Sequence, residues 1–95
     1  MDIRYHIDPD TGLPHIFGHG VSCEEVEQIL AAPWETRRGD RDSQVLLGRT
    51  LGGRLLRVIV VPDQDGQGVF VVTAFDLAGK PLKAFRRRQR KRGRS

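Results

Sequence analysis

The sequence predicts an α+β domain: an antiparallel sheet of three to four strands packed by one main helix, with a basic C-terminal helix or tail. Three observations carry that prediction. A capped amphipathic helix starts at Ser22. Three β-type runs joined by short turns fill Gln44 to Leu77. The last sixteen residues, Lys80 to Ser95, hold nine Lys or Arg and no Asp or Glu.

Each element has a local cause. Ile3, Tyr5 and Ile7 alternate with Asp2, Arg4, His6 and Asp8, the period of a short strand with one buried face. Pro9, Asp10 and Gly12 make a turn, and Pro14 discourages a helix. Ser22 is an N-cap with Glu25 three residues later, the capping-box spacing. Val21 and Val26 sit at the two staple positions, and Val26, Ile29 and Leu30 form the apolar stripe. Pro33 stops this helix near Ala32.

Glu35 to Ser43 is charged and turn-rich and reads as an exposed loop. Gln44 to Thr50 is the next strand, and Leu51-Gly52-Gly53 turns the chain. In Arg54 to Val61, Leu56, Val58 and Val60 alternate with Arg57, Ile59 and Val61. Pro62 to Gly68 is a turn, and Val69 to Leu77 is the most apolar strand, expected at the centre of the sheet. The short connections favour an antiparallel meander. In the basic end, Leu82 and Phe85 are spaced to anchor a final helix or strand, with Arg86 to Arg94 projecting outward.

Ninety-five residues make one domain, read here as residues 1–85 followed by a basic tail over 86–95. The formal charge of +4 hides an asymmetry: residues 1–48 carry a net −5 and residues 49–95 a net +9. Such a split points to a polyanionic partner, RNA or the ribosome, because cations that neutralise phosphates release counterions. The plainer reading is a solvated end that keeps a small protein soluble. A third is pairing of the acidic and basic halves between protein chains.

Other classes are disfavoured. A single cysteine, Cys23, excludes an internal disulfide and fits a cytoplasmic protein. The three histidines and Cys23 have no zinc-ligand spacing, so no metal is expected. The glycines form neither a dinucleotide fingerprint nor a P-loop, so no small-molecule cofactor is expected. No apolar run approaches a membrane span, and the N-terminus lacks the order of a secretory signal.

Four motifs carry a family resemblance. His19-Gly20-Val21-Ser22, then Glu24-Glu25-Val26, resembles the K-H-G-V-S-x-E-E-A start of BrnT toxins. Gly48-Arg49-Thr50, then Gly53-Arg54, Leu56 and Val58, looks like that family's G-x-T-x-x-G-R-x-L-x-V hairpin. Val71-Val72-Thr73-Ala74-Phe75 sits where the family has I-I-S-A, and Lys83-Ala84-Phe85-Arg86-Arg87 is similar to its E-R-x-x-Y end. The resemblance covers residues 14–90 and extends to a broader set of small domains with the same G-R and T-A-Y/F pattern. It implies a RelE/ParE-type fold and an RNA-directed toxin of a type II toxin–antitoxin module, a metal-independent endoribonuclease held by a cognate antitoxin. Asp76 stands where the family carries Arg, Gly18 replaces a Lys, and the closing Glu has no counterpart.

The candidate residues follow. RNA cleavage needs a base for the 2′-hydroxyl and an acid for the leaving oxygen; His19 is the first candidate and His15 its companion. Arg54, just past the Gly52-Gly53 turn, has a fixed forked charge suited to a phosphate in the transition state. Lys83, Arg86, Arg87 and Arg90 would share one helix face and grip the nucleic acid. The alternative is a non-catalytic nucleic-acid- or ribosome-binding module that uses the same basic end. In both readings Arg54 and the terminal cations are expected on one surface.

Overall fold

The computed structural model describes residues 1–93. The chain runs through β1 (Asp2–Tyr5), a short 3-10 helix (His15–His19), α1 (Cys23–Ala31), β2 (Glu35–Arg38), β3 (Gln44–Arg49), β4 (Leu55–Pro62), β5 (Gly68–Asp76) and α2 (Gly79–Gly93). The five strands form one sheet in the order β1-β5-β4-β3-β2. Strands β2 to β5 are an antiparallel meander, and β1 lies parallel to β5.

The α+β class is as the sequence predicts, but the sheet is larger and mixed rather than three to four antiparallel strands. The added strand β2 occupies the first half of the stretch expected to be an exposed loop. Its sequence, Glu-Thr-Arg-Arg, has no apolar alternation because it is an edge strand with one neighbour. Charged side chains there also deter pairing with another chain. The parallel pairing of β1 arises because the chain leaves the sheet after Tyr5 and crosses through the 3-10 helix and α1 to the far edge. A parallel pair requires such a long crossover. The middle strand is β4, not β5, and β1 pairs with β5 only over Gly68 to Val71. The 3-10 helix packs against β5.

Gly68 makes the parallel approach feasible. A side chain there would collide with the Asp2 carbonyl across the pair.

The alternation in β4 divides the core. Leu56, Val58 and Val60 face α1, where they bury with Ile16, Val21, Val26, Ile29, Val71 and Ala74. Each fully buried aliphatic side chain contributes about 1.5–3 kcal/mol. The capping box is formed: the Glu25 amide donates to Ser22 Oγ, and the Ser22 amide to Glu25 Oε1, each at 3.1 Å. On the opposite face Val45, Leu47 and Leu77 pack with Phe85 of α2, joined by Leu55, Ile59 and Leu82. Pro81 falls in the first turn of α2, where a missing amide costs little. The last turn carries Arg90, Lys91 and Arg92, which suits the negative end of the helix dipole. Arg94 and Ser95 of the basic end lie outside the described residues.

Candidate nucleic-acid interface

The basic end is a helix laid across the second face of the sheet. Phe85, 1% exposed, is its anchor. Its rotation is set by Glu35 at the start of β2. Arg88 donates to both Glu35 carboxylate oxygens at 2.8–3.1 Å, and Gln89 donates at 3.0 Å. The Glu35 side chain is 12% exposed. Hydrogen bonds from Arg88, then from Gln89 and Arg37, hold its carboxyl below the usual carboxylate range against the opposing effect of burial. Arg88, expected to project outward, is thus folded back onto the sheet.

With Arg88 turned inward, Arg86 and Arg90 fall on one flank of α2 and overhang the β3–β4 hairpin. A cleft of about 550 Å³ lies between them and the hairpin. Trp34, Phe85 and Leu55 form its apolar part, and Arg49, Arg86 and Arg90 its rim. No carboxylate lines it, and among the described residues no ion pair engages any of these three arginines. Trp34 is 42% exposed. One side of its ring stacks on Phe85 at 5.9 Å between centroids and 24° between planes. Its backbone is fixed: the Trp34 amide donates to the Leu47 carbonyl at 2.9 Å, and Arg92 donates to the Trp34 carbonyl at 3.2 Å. Arg49 folds over Gly53, whose φ of +92° keeps the turn tight; a methyl group there would lie 3.3 Å from Arg49 Nη2.

Such a cleft has two complementary parts. Cations with free donors match phosphate oxygens, and a half-exposed indole backed by a second ring offers a face for base stacking.

The sequence candidates separate. Arg86 and Arg90 line the cleft, while Lys83 and Arg87 are exposed one turn apart on the outside of α2. Arg54 lies on the other side of the hairpin, toward α1. Its Nε and Nη2 donate to the two Asp76 oxygens at 2.7 and 3.2 Å. Its Nη1 donates to the Gly20 carbonyl at 2.7 Å and to Glu25 at 3.0 Å. Hydrogen bonds from Arg54 in turn hold the Asp76 carboxyl below its usual range. All three nitrogens of Arg54 are therefore engaged within the protein, and it does not share a surface with the terminal arginines.

His19 is exposed at the end of the 3-10 helix. Its ring lies 5.1 Å from that of His15, and His15 lies 5.6 Å from His6. Backbone pairing creates this row: the His15 amide donates to the His6 carbonyl at 2.8 Å. Among the described residues, no three His, Cys, Asp or Glu are placed to hold a metal ion. No helix among them is long and apolar enough to cross a membrane.

From sequence, Trp34 is one of three scattered aromatics available for base stacking, with Tyr5 and Phe75, and reads more as a core or surface-patch residue than as a base platform; Arg49 appears only within the hairpin motif, with no site role. Their signal was present but weak: an aromatic after the helix-stopping Pro33, and an Arg just before a glycine turn. Neither says that the other is near.

Comparison of the chain with protein families, curated proteins and solved structures finds no match.

Proposed function

We propose that the protein binds single-stranded RNA in the cleft between α2 and the β3–β4 hairpin. The observation that carries this reading is the cleft itself: three arginines around an exposed tryptophan, with no acidic side chain among its lining. Phosphates lie against Arg49, Arg86 and Arg90, and a base stacks on the open side of Trp34. Lys83 and Arg87 extend the positive field along the outside of the helix and steer the strand toward it.

Trp34 is the only tryptophan, so its fluorescence reports the cleft directly. Oligouridine titrated into the protein is expected to quench it. Neutralising one phosphate at each of the three arginines gives a log–log salt slope of about −2 on single strands. The double variant Arg86→Ala/Arg90→Ala is expected to lose most of that slope. Undiminished affinity and slope in this variant would overturn the reading.

A second reading, the toxin-like endoribonuclease, draws on the 5.1 Å approach of the His15 and His19 rings. One imidazole would take the 2′-hydroxyl proton as that oxygen bonds to phosphorus. The other would protonate the departing 5′-oxygen as its bond to phosphorus breaks. Arg54 is then a positioning residue that ties the 3-10 helix and α1 to β4, not a phosphate ligand. The products would be a 2′,3′-cyclic phosphate and a free 5′-hydroxyl, formed in the presence of a chelator. RNA left intact by the wild type, or cut equally by His19→Ala, rejects this reading.

A further inference from the structure

Arg57 points to a second contact surface. It sits near the middle of the sheet in β4, paired in register with Phe75 of β5. Its guanidinium carbon lies 6.0 Å from the centre of the Phe75 ring. Its Nε is buried and has no hydrogen-bond partner. Among the described residues no carboxylate pairs with it. It lies on the α2 side of the sheet but on the opposite flank of the helix from the cleft, beside Pro81, Ala84 and Arg88. A groove of about 710 Å³ opens there over Ile59, Val61 and Val72. Its lining also includes Arg37 and Arg38 of β2 and Asp40, Arg41 and Asp42 of the loop after it.

From Phe75 a file of rings runs along the β5 edge of this open face. Phe75 lies 5.9 Å from His19, His19 5.1 Å from His15, His15 5.6 Å from His6, and His6 6.4 Å from Phe70. Neither phenylalanine is fully buried, and His6 and His19 are exposed. Neighbouring rings in the file are tilted 57–78° to one another, so they offer separate faces and edges to splayed-out bases, with the Arg57 guanidinium beside them for a phosphate. An acidic peptide would use Arg57 but would leave the rings without a matching partner.

The geometry points to this face as a second site for the same single-stranded RNA, with a phosphate on Arg57 and bases against Phe75 and the histidine row. The inference rests on the RNA-binding reading but on different residues. A strand long enough to pass over α2 occupies both surfaces, and a short one occupies either.

The test uses the full chain and 4-thiouridine oligomers of two lengths, one of a few nucleotides and one of about twenty, with photocrosslinks mapped by peptide mass spectrometry. Crosslinks at the peptides holding Phe75 or Phe70 are expected, beside those at Trp34. Arg57→Ala is expected to weaken the long oligomer on the order of tenfold, with Arg57→Lys recovering part of the loss. Crosslinks confined to the Trp34 peptide, or equal affinity of wild type and Arg57→Ala for the long oligomer, overturn the second site and leave the cleft standing. Crosslinks at Phe75 without any at Trp34 support the second site and sink the cleft. Failure of both oligomers to bind overturns both sites.

Discussion

Arg54 and Asp76 meet in a two-armed contact at the end of the sheet, Nε to Oδ1 at 2.7 Å and Nη2 to Oδ2 at 3.2 Å. The acid that departs from the resembled family's pattern is the partner of the arginine that the resemblance singled out. The same guanidinium also reaches Gly20 and Glu25, so it joins β4, β5 and the start of α1.

Arg54→Ala therefore acts on stability. The Asp76 side chain is 59% exposed and that of Arg54 30%, so solvent screens the pair. The loss is about 1 kcal/mol, at the upper end for exposed pairs, because three elements share one cation. For a domain of this size that is a fall in Tm of about 4–8 °C. RNA affinity at a temperature where the variant is folded is expected to stay within about twofold of wild type. A large affinity loss in a fully folded Arg54→Ala protein would place Arg54 at the bound strand instead.

Acid should loosen α2 from the sheet. The Glu35 carboxyl is held low, mainly by Arg88, so its folded-state pKa lies below its unfolded value. Its contribution is present above the ordinary glutamate range and is lost as pH falls through the depressed folded value. Trp34 stacks on Phe85, so its emission follows the docking. Wild type is expected to show a transition in Trp34 emission below the ordinary carboxylate range. Glu35→Gln is expected to shift that emission at neutral pH and to flatten the acid transition; an unchanged profile in the variant contradicts this account.

Gly53→Ala tests the hairpin. Gly53 has φ +92°, and its amide closes the turn onto the Thr50 carbonyl at 2.9 Å. A side chain in that conformation costs about 1–3 kcal/mol. The new methyl group would also push on the Arg49 guanidinium. Denaturant unfolding should show the lower stability, and the oligouridine titration a weaker cleft. A variant as stable as wild type would mean that the turn relaxes to another conformation.

Phe85→Leu separates packing from charge. The substitution keeps most of the buried volume, so the stability loss is about 1 kcal/mol. It removes the ring behind Trp34. Trp34 emission should shift to the red and oligouridine affinity should fall, although no cation has changed. If affinity is unaltered, base stacking on Trp34 does not contribute to binding.

What the sequence by itself determined was everything that neighbouring residues decide. The capping box of Ser22 and Glu25, the stripe of Val26 and Ile29, and the alternation in β4 are one-turn or two-residue signals, and each was legible. The anchoring of Leu82 and Phe85 and the charge of the basic end were legible for the same reason. Tertiary structure alone decided which cations remain available. Arg54, Arg57, Arg86 and Arg88 are chemically alike, yet Asp76 engages the first, Glu35 engages the fourth, and the other two have no carboxylate partner among the described residues. Those partners are 22 and 53 residues away in the chain. The edge strand β2 was illegible on the same ground, because a strand with polar faces is defined by the backbone it pairs with; β1 was legible as a strand from Ile3 and Tyr5, but its parallel pairing with β5 was not. An ion pair or a strand pair depends on distance in space, and local sequence does not specify that distance.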